Sequence, residues 1–215
     1  MEKATVDSWA QEIVMHSWLG QWAWHGLHKL TRRNAGPGIV PSAGSSRENV
    51  TAILSHMSET WGRAWLMVSA GAVISRILWP ERKDLAKRGA ELCSALDLPP
   101  TPQIQNRRVR DQLEHIEQSL PGWARRTAKS SPSGPYASWS YGTEPEMSTM
   151  SGVPANMFFR YLDTKAWQLR VGTASIDLKE LAVDFHTLSG AIRVKHTWTI
   201  GTPQSVRPDY VQRSR

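Results

Sequence analysis

Between residues 48 and 78 the chain carries Val50, Ile53, Leu54, Met57, Trp61 and Trp65 at spacings of three and four, and no other pattern in it limits the fold as much. Apolar residues so spaced share one face of an α-helix, which predicts a long helix with a buried stripe. From Leu66 to Leu78 apolar residues fall on nearly all sides, so this half should be central. Trp79-Pro80 ends the run, because a residue before proline is pushed out of the α region. The most apolar stretch, 64–74, is far short of the roughly 20 residues needed to span a bilayer, and Arg76 closes it, so no membrane partner is expected.

The rest of the chain is organised around that helix. Residues 5–30 read as a helix carrying Trp9, Ile13, Trp18, Trp22 and Leu27, with Asp7 or Thr5 as its cap. The Gly, Pro and Ser of 34–46 predict a loop. A shorter helix over 82–96 turns Leu85, Leu92 and Leu96 inward, and Pro99, Pro100 and Pro102 break the chain after it. A fourth helix is expected over 104–129 from Val109, Leu113, Ile116, Leu120 and Trp123, with Pro121 kinking it or ending its first part. Residues 130–156, rich in Ser, Pro, Gly, Thr and Met with no period, read as a long mobile loop. Two strands joined by a turn at 163–165 form a β-hairpin over 157–172. Asp177 then caps a last helix through Leu181, Phe185, Leu188 and Ile192. The expected fold is mainly all-α: a bundle of four to five helices with a small β-hairpin before the last one, in a single domain over 1–195. Residues 196–215 read as a basic, disordered tail.

Composition narrows the class. With 40% apolar and 21% charged residues, most of the 215-residue chain should fold. Cys93 alone excludes an internal disulfide framework and fits a reducing compartment, as a small core residue. Asp7, Glu12 and several histidines interrupt any signal-peptide pattern, so a cytoplasmic, soluble protein is expected. A net charge of +7 makes an anionic partner plausible. Arg107, Arg108, Arg110, Arg125, Arg126 and Lys129 gather around one segment. Arg125 and Arg126 suit either phosphates or the dipole of a helix C-terminus. Tyr136, Trp139 and Tyr141 suit either stacking on bases or packing against the domain. His25 and His28 alone are too few to make a metal site.

One arrangement carries chemistry. Ser75-Arg76-Ile77-Leu78-Trp79-Pro80, an arginine-bearing short helix, Leu96-Asp97-Leu98-Pro99 and then Arg107-Arg108-Val109-Arg110-Asp111-Gln112-Leu113-Glu114-His115 follow in order. A strand over Phe159-Arg160-Tyr161-Leu162-Asp163, a second strand and a helix opened by Asp177-Leu178 come later. Over residues 50–192 this order resembles a group of uncharacterised bacterial proteins with HEPN domains. The resemblance implies a metal-independent endoribonuclease, part of a toxin–antitoxin pair or of antiviral defence, that needs no cofactor. Arg110, Asp111 and His115 would be its catalytic residues. Arg107, Arg108, Arg125 and Arg126 would bind RNA, and an antitoxin or other protein would be a further partner.

The residue types suit that reaction. Attack by the ribose 2′-OH needs a proton moved near neutral pH, for which imidazole is suited. The charge that builds on phosphorus is offset well by the planar donor fork of a guanidinium. On one straight helix, at about 100° per residue, Arg110 and His115 would stand about 140° apart on either side of the apolar stripe. The resemblance also implies a homodimer whose motifs line a shared cleft, which would bring the two types together. Where those relatives carry an aromatic and an Asp-Glu-Arg run after the histidine, this chain reads Ile116-Glu117-Gln118-Ser119. That departure implies the alternative, a catalytically inactive interaction or RNA-binding subunit.

Overall fold

The structure is a computed structural model that describes residues 1–33, 46–129, 136–142 and 157–195. Helix α1 (Lys3–Arg33) packs along α2 (Arg47–Leu78), and α3 (Lys83–Leu96) follows α2. The segment expected as one helix over 104–129 is three: α4 (Pro102–Gln105), α5 (Arg108–Glu114) and α6 (Ile116–Ala128). Pro121 lies inside α6 without ending it, and the break falls at His115, whose φ of −111° and ψ of 43° are not helical. Strands β1 (Tyr136–Gly142), β2 (Phe158–Asp163), β3 (Gln168–Val171) and β4 (Ala174–Asp177) precede α7 (Leu178–Lys195).

The protein is thus mainly helical, as expected, but the hairpin is part of a larger sheet. Four strands pair in the order β1-β2-β3-β4, β1 with β2 parallel and the others antiparallel. Two corrections follow. The supposed loop 130–156 contains β1, whose Ser140 and Tyr141 are buried, and a further strand, with Ala174 and Ile176 buried, lies between the expected hairpin and the last helix. The rest of 130–156, the loop 34–45 and the tail 196–215 lie outside the described residues.

The core is where the apolar half of α2 put it, whereas Leu54 and Trp65 of the expected stripe are exposed. Trp61, Ala64, Met67, Val68, Ile74, Ile77 and Leu78 of α2 are buried against Ile13, Val14 and Leu27 of α1 and Leu181, Phe185 and Leu188 of α7 within one cluster. Burial of each large side chain contributes about 1.5–3 kcal/mol. Gly20 of α1 leaves room for the fully buried ring of Phe185, which a Cβ there would overlap. No helix among the described residues is long and apolar enough to cross a membrane.

Local chemistry fixes the joints. Trp79, before Pro80, leaves the helical region (φ −129°, ψ 63°) and ends α2 as its sequence requires. Asp163 Oδ1 accepts from the Lys165 and Ala166 amides at 2.8 and 2.9 Å, closing the β2–β3 turn. Asp177 Oδ1 accepts from the Glu180 amide at 2.9 Å, the expected cap of the last helix. Gly172, with φ of +58°, turns β3 into β4 under the side chain of Gln112 on α5, a place that suits glycine on both counts.

Candidate functional site

Val109 is the buried anchor of α5, and the polar residues of the motif leave it in different directions. Arg110 turns toward α2. Its Nη2 donates to Glu114 Oε2 at 2.6 Å, one helical turn on, and its Nη1 lies 3.7 Å from Asp111 Oδ1. Arg76, from the end of α2, donates its Nη2 to both oxygens of the same Glu114 at 3.1 Å. The Arg110 hydrogen bond, opposed by some burial and helped by Arg76, holds the Glu114 carboxyl below its ordinary pKa. The Glu114 bond in turn raises the pKa of Arg110. Arg110 Nε is buried and has no hydrogen-bond partner among the described residues.

His115 sits at the elbow between α5 and α6 and is 60% exposed. Its Nδ1 lies 3.9 Å from Glu117 Oε1. No hydrogen bond joins it to Arg110 among the described residues, so one chain does not bring the two together as a pair. The straight-helix angle does not apply, because the helix breaks at the histidine itself.

The remaining predicted residues divide between structure and surface. Arg107 is committed to the fold: Nε donates to Ser75 Oγ at 2.8 Å, Nη2 to the Ser75 carbonyl at 3.0 Å and to the Trp79 carbonyl, and Nη1 pairs with Glu81 at 2.7 Å. It thereby adds a second donor to the Ser75 carbonyl, which already accepts from the Trp79 amide at 2.8 Å, and one to the carbonyl of Trp79 just past the end of α2. The Glu81 carboxyl is lowered by that hydrogen bond from Arg107. Arg108 is exposed, and with Asp111, Gln112, Ser119, Thr173 and Ala174 it lines a shallow hollow between α5, α6 and the β3–β4 turn. Arg125 and Arg126 are exposed in the last turn of α6.

Among the rings considered for base stacking, Tyr141 is buried and lies edge-on to His56, so it belongs to the domain. The backbones of Tyr136 and Trp139 lie in β1; their side chains are outside the described residues. His28 stacks on Trp167 at 5.5 Å, and no group of three metal-ligating side chains occurs among the described residues. Cys93 is half-buried with its thiol donating to the Leu78 carbonyl, and burial raises its pKa.

Sequence reasoning missed two parts of this region. Arg76 reads as the stop of an apolar run, and nothing local shows that it returns to α5. Thr173 and Ala174 reach the hollow only through the turn between two strands, one of which was not expected. Comparison with known proteins returned no match to a family model, a curated protein or a solved structure.

Proposed function

We propose that the protein is a HEPN-like endoribonuclease that cleaves RNA without a metal, with its site at the α5–α6 elbow. The observation that carries this reading is the break at His115: it presents an imidazole to solvent between two helices whose exposed arginines, Arg108, Arg125 and Arg126, suit a phosphate backbone. In this scheme His115 takes the proton from a ribose 2′-OH as the oxygen attacks phosphorus. The 5′-oxygen of the next nucleotide leaves with a proton from an acid such as a second imidazole, giving a 2′,3′-cyclic phosphate. Arg110 supplies charge to the phosphorane. Because Arg110 and His115 of one chain are not paired, the complete site needs a second copy of the chain.

Incubation of the purified protein with structured and unstructured RNA in EDTA tests this. Cleavage should be lost in His115→Ala and in Arg110→Ala. An inert wild-type protein, or cleavage indifferent to both substitutions, removes the catalytic assignment.

A second reading has its own observation. Arg110 is already bonded to Glu114, which suits an RNA-binding or interaction subunit that does not cleave. Binding that is intact in wild type with no cleavage under any condition would select it.

A further inference from the structure

Arg76 and Arg110 come from different helices and meet on one carboxylate. Glu114 does not satisfy either guanidinium fully. Arg76 approaches it through Nη2 alone, touching both oxygens at 3.1 Å rather than presenting its two-nitrogen fork. Arg110 uses Nη2 at 2.6 Å, while among the described residues its Nε is buried and unpartnered and its Nη1 has only the longer approach to Asp111. Several donors thus converge on two oxygens. A phosphodiester, with tetrahedral geometry and more acceptor positions, answers them better than a carboxylate does.

The local charge explains why such a site would be closed at rest. Arg76, Arg107 and Arg110 face Glu81, Asp111 and Glu114, and the cluster is balanced while Glu114 stays in place. Arg107 and Glu81 are bonded to each other and do not change. Glu114 is the last residue of α5, directly before the non-helical His115, and its side chain is 37% exposed. Rotation of that side chain into solvent leaves Arg76 and Arg110 facing the opening with one net positive charge.

We infer that Arg76 and Arg110 form a binding site for an RNA phosphodiester, with the Glu114 carboxylate as an internal stand-in that the backbone displaces. The inference rests on the proposed action on RNA and adds to it a binding residue, Arg76, and a gate, Glu114. It also ties entry of RNA to the residue beside His115.

The test uses the full chain and a fluorescent single-stranded RNA of about 12 nucleotides with every ribose 2′-O-methylated, so that binding is read without cleavage. Glu114→Gln should bind it about threefold tighter than wild type. The salt dependence should steepen by about 0.7 in log–log slope, one added phosphate contact. Adding Arg76→Ala should remove both gains. Glu114→Ala opens the site by a second route and should behave like Glu114→Gln, with melting curves confirming that each variant is folded. Affinity unchanged in both Glu114 variants, or a gain that survives Arg76→Ala, overturns the inference. An Arg76-dependent gain in a protein that cleaves nothing keeps the site and sinks the nuclease. Cleavage that needs His115 and Arg110, without the gain, does the reverse.

Discussion

Arg107 Nε lies 2.8 Å from Ser75 Oγ, and the same guanidinium donates to the Ser75 and Trp79 carbonyls, so the first arginine of the basic cluster closes the helix that ends some thirty residues before it. Its side chain is only 12% exposed. Arg107→Ala takes this donor from the Trp79 carbonyl and the Ser75 hydroxyl, while the Trp79 amide still holds the Ser75 carbonyl, and should cost about 2 kcal/mol in urea unfolding. Arg107→Lys should recover less than half, because an ammonium does not reproduce the fork. The salt slope for RNA binding by the folded variants should stay that of wild type. A slope reduced by about 0.7 would make Arg107 a phosphate contact instead.

The approach of α1 to α7 depends on a missing side chain. Gly20→Ala gains up to about 1 kcal/mol of helix propensity. Its methyl group meets the buried Phe185 ring, a clash worth about 1–3 kcal/mol. The net change should be a lower melting temperature. Combining it with Phe185→Leu should cost less than the sum of the two single changes. Strict additivity would show that the two residues do not share the space.

Asp184 of α7 is buried and accepts from the Gln103 and Ile104 amides at 2.8 and 3.1 Å, holding the first turn of α4 against the core. Burial outweighs those hydrogen bonds and raises its pKa. A raised acid favours the folded state most below its unfolded pKa, and that advantage is lost as pH rises through the folded value. Asp184→Asn keeps an acceptor without the charge. Its stability relative to wild type should therefore improve from acid to neutral pH in melting curves. Asp184→Ala strands both amides and should cost about 1–3 kcal/mol at acid pH, less as pH rises through the folded pKa of wild type.

Glu114 behaves oppositely. Its pKa is lowered, first by the Arg110 hydrogen bond, so its contribution is present above the unfolded value and lost as pH falls through the folded one. Glu114→Gln should flatten the acid limb of the stability curve. An unchanged acid limb would mean that the Arg76–Glu114–Arg110 contact is absent in solution.

The helices were legible because their signals are local. The stripe of 48–78, the Trp79-Pro80 stop and the Asp177 cap each act within a turn or two. The joint at His115 was not legible, because Val109, Leu113 and Ile116 keep helical spacing across it. Strands β1 and β4 were missed because β1 sits in a Ser-, Gly- and Pro-rich stretch and pairs with a strand some twenty residues on, and β4 has only four residues after a tight turn at Gly172. Within the site, sequence named Arg110, Asp111 and His115 as neighbours on one segment. It could not show that Arg107 faces inward to Ser75, or that Arg76 comes back to Glu114, since both contacts span more than 30 positions.

The most direct measurement of the central claim uses two RNAs that differ by one atom. One labelled RNA is incubated with the wild-type protein in EDTA, and a second carries a single 2′-deoxyribose at the position where the first is cut. The account predicts a 2′,3′-cyclic phosphate product from the first, no cut at that position in the second, and neither product with His115→Ala. Equal cleavage of the two RNAs, or activity that survives His115→Ala, would contradict it.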